Sequence, residues 1–468
     1  MNKNKRMMNF IGSMSKYVLY FASFLLLLCL NIGLFYYAIE LAPIVLGVIA
    51  VIVGIVFYFR GIKLPEISDR NFGKIIVLLI FTTFIIEIII INNFPFQWAT
   101  DPQICRSQAI YMNENYGLMP QFAEYFYQYP NNINLIIVLG ALYKLFGDYS
   151  YVTYFFILLV NLSSLFACMT VRNITKNNFV SIIVLIFLQL FAILTTRTYM
   201  PYTSNLAILF PILTTYLYTS NLSTKKKIII IPMVAVLGYQ AKLTCLISFI
   251  ALLLVELIRF IKNRRNYELK NVGLSILSVV FFFGIFTGLK NYSWDNLGYS
   301  IDDTKSRGFA YFLFLGHNPN TGGQWDAIYV KLGDYKGTKS ERDYYFYNIT
   351  QKNIRERGFV GNVKFYLAKT AMAWGCTKMD YIQLKKGFDK LIYGVRHFIW
   401  YLFLFIAMLA VFLVKDKGVY MIMLTCVGVM IYLWLSECSF TYVIMFSPMI
   451  FALSGVALDK FLKCKNNQ

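Results

Sequence analysis

Long apolar runs joined by short polar links fill most of this chain, and two polar intervals break the rhythm, one between Asn92 and Asn132 and one from Lys290 to Lys390. A helix needs roughly 17–25 mainly apolar residues to cross a hydrocarbon core of about 30 Å. Runs of that kind predict twelve spans, at 16–38, 41–59, 75–92, 151–171, 178–196, 203–220, 226–241, 243–262, 271–289, 391–414, 418–435 and 439–459. The runs are continuous, without the residue-by-residue alternation of a membrane barrel, so a closed β-barrel is excluded. The expected class is an all-α polytopic membrane protein.

The stretch Asn132–Phe146 decides the register. It is apolar with a helical pattern and stops at Gly147, a residue suited to closing a helix. At about 1.5 Å per residue it reaches only roughly 23 Å, too short to cross. It is therefore expected as a helix lying in the interface after the first outer loop. Three parts follow: residues 1–289, a transmembrane module with an outer loop at 93–150; residues 290–390, an extracytoplasmic loop subdomain; and residues 391–468, the last transmembrane helices.

Charge fixes the expected orientation. The net charge is +21 on a chain that is 58% hydrophobic and only 14% charged. The Lys and Arg residues collect in alternate short loops, around Arg60–Lys74, Arg172–Lys176, Lys225–Lys227, Arg259–Arg265 and Lys415–Lys417. Cytoplasmic loops carry such an excess, so both termini are expected in the cytoplasm of a multi-pass cell-membrane protein. The basic charge thus reflects topology and calls for no nucleic acid; the expected partner on this count is the lipid bilayer. The N-terminus is basic and then apolar like a signal peptide, but the run Tyr17–Ala38 is long, has no small-residue cleavage site and leads straight into another span. A retained helix is expected. With eight Cys and two His in no metal-ligand spacing, neither metal nor cofactor is expected. Cys105, Cys376 and Cys438 fall on the outer side, where the sequence does not choose a pairing.

Candidate chemistry centres on Asp101, an acid just after the third span. A carboxylate at a bilayer rim suits a general base that takes a proton from an acceptor hydroxyl. A competing reading makes it an Asp-Pro turn former ahead of Pro102. Lys242 interrupts two adjoining apolar runs; a cation at membrane depth costs about 2.5–3.5 kcal/mol on insertion scales, so it has a partner or a task, unless it snorkels to the headgroups. Arg197 adjoins the turn at Tyr199–Tyr202, and Arg106 lies about one helical turn after Asp101, within salt-bridge reach. Glu124 and Glu437 are further acids at the same rim, each either functional or merely solvated.

The segment Tyr125-Phe126-Tyr127-Gln128-Tyr129-Pro130-Asn131-Asn132 following Asp101 resembles the GT-C superfamily of integral membrane glycosyltransferases, especially bacterial glycosyltransferase family 39 proteins related to protein mannosyltransferases and aminoarabinose transferases. In those enzymes an acid in the first outer loop precedes a Pro-containing segment that opens a helix near the interface. Further likenesses are Phe312–Gly316 with Asn318 and Gly322-Gly323, then Lys369–Trp374, and finally Glu437–Tyr442 with Pro448. The resemblance implies a GT-C-like fold and an inverting sugar transfer from a polyprenyl-phosphate donor to a cell-envelope glycan, teichoic acid or glycolipid on the outer face. It places Asp101 at the catalytic acid position and Tyr129, Asn131 and Asn132 in the Pro segment; together with Arg106, Glu124, Arg197, Tyr202, Lys242 and Glu437, read from the residues themselves, these are the substrate-binding candidates beside the catalytic Asp101.

Departures from the family pattern matter as much. Tyr129 stands where the aminoarabinose type carries Lys, Ser204 where relatives often carry Asp, and Thr441 where they carry Arg. The carrier phosphate must then be met by Lys242, Arg197 or Arg106. Two other classes remain open: a polysaccharide repeat-unit polymerase using Arg355 and Arg357, and a lipid-linked glycan transporter, which should show a polar path at mid-membrane.

Overall fold

The computed structural model describes residues 65–93, 100–147, 149–262, 269–302, 304–331, 337–375 and 388–463. The first two expected spans, 16–38 and 41–59, lie outside the described residues, as does Cys376. Among the described residues every regular element is helical. Among the described residues five helices are long and apolar enough to cross a membrane: Asp69–Asn93, Tyr151–Thr175, Leu243–Ile261, Lys270–Asn296 and Lys417–Leu435.

In chain order the elements that frame the site are α1 (Asp69–Asn93), α2 (Thr100–Tyr111), α3 (Ala123–Gln128), α4 (Ile133–Phe146), α5 (Tyr149–Thr175), α6 (Asn178–Leu194), α7 (Thr203–Leu206), α8 (Leu209–Thr219), α9 (Thr224–Ala241), α10 (Leu246–Lys262) and α11 (Leu269–Asn296). They continue with α12 (Phe309–Gly316), α13 (Ala327–Lys331), α14 (Lys339–Trp374), α15 (Phe388–Leu413), α16 (Lys417–Leu435), α17 (Phe440–Ile444) and α18 (Ser447–Lys463). The centre of the bundle is α5, α6, α15 and α18, with α8 and α16 beside them; Phe191, Trp400, Phe403 and Phe451 interlock there. Helix α11 packs on α9 and leaves its apolar middle outward, with Leu277, Val280 and Phe281 more than three-fifths exposed. In water such a face is a liability; against lipid it costs nothing.

Two expected spans are broken, and proline accounts for both. The run 203–220 divides into α7 and α8 because Pro211 has no N–H to give the Ala207 carbonyl four residues back. The run 439–459 divides into α17 and α18 in the same way, with Pro448 unable to bond Ile444. A third interruption falls at Lys242, whose extended backbone (φ −161°, ψ 128°) separates α9 from the 3-10 turn Leu243–Cys245 that leads into α10. All three breaks face the same end of the bundle.

Polar contacts show which ends meet. At one end Arg172 pairs with Asp69 at 2.8 Å, Lys463 reaches Asp459 at 2.8 Å and the Thr175 carbonyl at 3.1 Å, and Lys417 stands 4.8 Å over the Tyr218 ring. Lys227 donates to the carbonyls of Tyr218 and Ser220 there, at 2.8 and 2.7 Å. Basic residues expected in the short inner loops therefore gather together, at the end remote from Asp101. At the Asp101 end, α4 is the helix the pattern predicts, closed by Gly147 in the left-handed conformation (φ 71°). It buries Leu135, Ile136 and Leu139 with Cys105 and Ala109 of α2 and Phe156 of α5. Helices α12, α13 and α14 share a small core of their own, built on Tyr311, Phe314, Tyr329 and Phe346. The far end of α14, after a kink at Gly358 (φ 62°), buries Ala373 and Trp374 in the main core.

Candidate active site

Asp101 occupies the first turn of α2, where the backbone N–H groups of a helix start favour negative charge, and its side chain is exposed. The Tyr202 hydroxyl donates to its Oδ2 at 3.2 Å. Tyr202 is the extended residue that opens α7 (φ −146°, ψ 165°), directly after Pro201. Two residues further, the buried Ser204 Oγ accepts from Lys242 Nζ at 2.5 Å. One short segment thus brings Asp101 and Lys242, 141 positions apart in the chain, to the same place.

On the other side of Lys242 stands the late segment. Its ammonium sits 4.4 Å from the centroid of the Tyr442 ring, and the Tyr442 hydroxyl donates to Glu437 Oε2 at 3.2 Å. Glu437 lies between α16 and α17. Burial pushes its carboxyl up to about 7; the hydrogen bond from Tyr442 opposes that shift, the Asp101 charge adds to it, and Lys242 and Lys369 oppose it. Two acids therefore share the site with different characters: an exposed one and a half-buried one whose carboxyl is raised toward neutrality.

Lys369 builds the wall behind Glu437. It is fully buried, and its ammonium donates to the carbonyls of Gly316 at 2.6 Å, Trp434 at 3.0 Å and Ser436 at 2.6 Å. Burial draws its pKa down to about 7. The Cys438 amide donates to the Gly323 carbonyl at 2.8 Å, and the Cys438 thiol to the Lys369 carbonyl at 3.1 Å. The chain segments around Gly316, Gly323, Lys369 and Glu437, scattered in the sequence, are one assembly in space.

The Pro-containing segment forms the third side. Asn132, at the end of the 3-10 turn Pro130–Asn132, donates to the Tyr125 hydroxyl at 2.7 Å, and Asn131 donates to the Asn132 side-chain oxygen at 3.2 Å. Burial pushes the Tyr125 phenol far above its ordinary range, and the nearby Tyr202, Cys105 and Asp101 add to the effect, so it works as a neutral hydroxyl beside the acid. Tyr129 accepts from Arg307, which also donates to Tyr311 at 2.7 Å. Arg307 is the principal residue that sequence reasoning missed. It sits in a polar loop 178 positions from Tyr129, and no local pattern separates it from the other cations of that loop.

Other candidates stand apart. Glu124 is exposed and pairs with Lys305 at 2.8 Å, and that hydrogen bond holds its carboxyl below the usual range. This is the solvated reading of Glu124. Arg106 is half-buried five residues along α2. Arg197 lies in the 3-10 turn Thr196–Tyr199, and its side chain is outside the described ones. Cys105 and Cys438 are each buried as free thiols. Among the described residues no group of three His, Cys, Asp or Glu is placed to hold a metal ion.

The arrangement offers one exposed proton acceptor, one half-buried acid whose carboxyl is raised to about 7, a cation held by the Tyr202–Ser204 segment and a fence of phenols. It suits the deprotonation of a hydroxyl next to an anionic group. No curated protein and no solved structure matches the chain. Residues 10–375, well over half of the sequence, match the family of conserved hypothetical integral membrane proteins, and the chain belongs to that family.

Proposed function

We propose that this integral membrane protein is a glycosyltransferase that moves a sugar from a polyprenyl-phosphate donor to a cell-envelope glycan, teichoic acid or glycolipid at the outer face of the membrane. Asp101 takes the proton of an acceptor hydroxyl. The freed oxygen attacks the anomeric carbon from the side opposite the phosphate, forming the new glycosidic bond with inversion. The bond from that carbon to the phosphate oxygen breaks, and its electron pair leaves with the polyprenyl phosphate. Lys242 stabilises the charge that builds on that phosphate, an interaction stronger in the transition state than in the ground state. Tyr202 orients the base, and Arg307, with Tyr129, flanks the donor.

The observation that carries this reading is the convergence of Asp101 and Lys242 on the Tyr202–Ser204 segment. A polymerase reading draws on Arg355 and Arg357, but Arg357 is engaged within its own loop by Asn362 at 3.0 Å and the Phe365 ring at 3.8 Å. A transport reading gains from Glu87, a buried acid within α1, yet that carboxylate is fully enclosed. The test is incubation of purified protein with a panel of polyprenyl-phosphate sugars and glycan acceptors. Wild type consumes one donor; Asp101→Asn keeps expression and folding but loses transfer. Near wild-type turnover by Asp101→Asn removes Asp101 from the mechanism.

A further inference from the structure

Glu87 has no part in the chemistry above, yet it is fully enclosed in the bundle, one and a half turns from the end of α1. A carboxyl group in that setting is costly and marks a partner or a task. Its partners are specific. The Tyr199 hydroxyl donates to Oε1 at 2.6 Å, and the Asn161 amide of α5 donates to Oε2. The Asn161 side-chain oxygen in turn accepts from Gln189 of α6 at 3.3 Å, and its side-chain N–H also reaches the Ile157 carbonyl at 3.1 Å. Three helices and the turn at 196–199 thus close around one acid.

Tyr199 matters for where its chain goes next. Three residues on, about 10 Å of chain at most, stands Tyr202, whose hydroxyl holds Asp101; two further stands Ser204, which holds Lys242. This segment is not a long helix that would fix its own place. It is a 3-10 turn, an extended residue and one turn of helix, and the Asn205 side chain folds back on the Met200 carbonyl. Such a segment needs outside anchors, and the buried Tyr199 ring with its bond to Glu87 is one on the side facing the bundle.

We infer that Glu87 is a positioning residue for the Asp101–Lys242 site: through Tyr199 it sets the place of the segment that carries Tyr202 and Ser204. The inference rests on reading those residues as one site. It explains why an acid is kept within the bundle on two neutral donors, Tyr199 and Asn161, which fix its direction more narrowly than a flexible cation would.

The test uses the full chain, purified in detergent, with Glu87→Ala, Glu87→Gln and Tyr199→Phe. Amide hydrogen exchange is followed at residues 199–206, and kcat and KM are measured with whichever donor the wild type consumes. Glu87→Ala and Tyr199→Phe are expected to speed exchange in that segment several-fold and to lower kcat by about 10- to 100-fold, the scale of a displacement of about 1 Å in a catalytic group. Glu87→Gln, whose amide oxygen still accepts from Tyr199, is expected to recover most of both. If Glu87→Ala does not fold, Tyr199→Phe, which keeps the buried ring, carries the test alone. Unchanged exchange at 199–206 in Tyr199→Phe overturns the inference. Faster exchange in these variants, with a wild type that itself transfers no sugar from any donor, leaves the anchor standing and removes the glycosyltransferase reading instead.

Discussion

Replacing Gly316 by Ala tests whether the wall behind Glu437 is as tight as the structure has it. A Cβ at this position would lie 2.5 Å from both the carbonyl carbon and the oxygen of Ser436, and 2.8 Å from the Leu435 oxygen. Ordinary contact begins at about 3.4 Å, so the two backbones must part by roughly 0.9 Å. Main chain cannot step aside as a flexible side chain can, and both strands are held to the same Lys369 ammonium. The cost therefore belongs in the upper part of the range for overpacking, about 2–3 kcal/mol. Gly288 supplies the control, because its added Cβ meets nothing within 4 Å on the outward-facing α11. Ala there removes a helix-interior glycine and gains up to about 1 kcal/mol. The assay is thermal unfolding of the purified protein in one detergent, read by tryptophan fluorescence. The expected order of midpoints is Gly316→Ala below wild type, and Gly288→Ala at or above it. Because Glu437 follows Ser436 directly, Gly316→Ala is also expected to lower turnover by about ten-fold or more. A Gly316→Ala protein that melts and turns over like wild type would refute the packing argument and the role of this wall.

Two further outcomes follow from the charges. Glu437 titrates near 7, so it is mostly neutral below that pH and carries a negative charge beside Lys242 above it. The added charge repels an anionic donor, and kcat/KM should fall as pH rises through about 7; Glu437→Gln, fixed in the neutral form, should lose that limb, and persistence of the limb in this variant would assign it elsewhere. Lys242→Met removes the cation that stands over Tyr442 while keeping an unbranched apolar side chain; kcat/KM for the donor should drop by about 100-fold or more, the scale of a removed transition-state donor, and a wild-type value would transfer the phosphate-binding role away from Lys242.

The class of the protein was legible because a bilayer enforces its own periodicity: lipid admits long apolar helices, and the runs announce them. Ile133–Phe146 was legible for a related reason, since its length and its closing glycine are local properties. Asp101, Lys242 and Glu437 were legible as individuals, Lys242 as a charge where charge is expensive and the two acids as charges at the rim of apolar runs. Their meeting was not. It depends on Pro211 and Pro448 breaking two runs that read as single spans, and on side chains far apart in sequence, such as Arg307 with Tyr129. Glu124 marks the same limit: an acid beside a tyrosine-rich turn reads alike whether or not a lysine 181 residues away pairs with it. Glu87 escaped notice because one acid in an apolar run hardly changes the pattern.

The three interruptions at the Asp101 end also bear on why the site is where it is. In lipid a broken helix leaves carbonyls and amides without partners, so breaks persist only where protein or a polar cleft satisfies them. Here the freed groups are reused: the Ala207 carbonyl, which Pro211 cannot reach, accepts from the Phe210 amide at 3.1 Å, and the Lys242 carbonyl accepts from the Cys245 amide at 3.0 Å. The breaks are thus stable, but they carry no stabilising advantage over continuous helices. Their product is placement, since only an interrupted chain turns Tyr202, Ser204, Lys242 and Tyr442 toward one point. Pro211→Ala separates the two effects. Restoring an N–H to residue 211 lets the Ala207 carbonyl take its ordinary helical bond, so α8 extends toward Thr203 and draws Ser204 away from Lys242. The expected result is a thermal midpoint at or above wild type together with a fall in transfer of about 10-fold or more. A variant that keeps full transfer would show that the break serves packing alone.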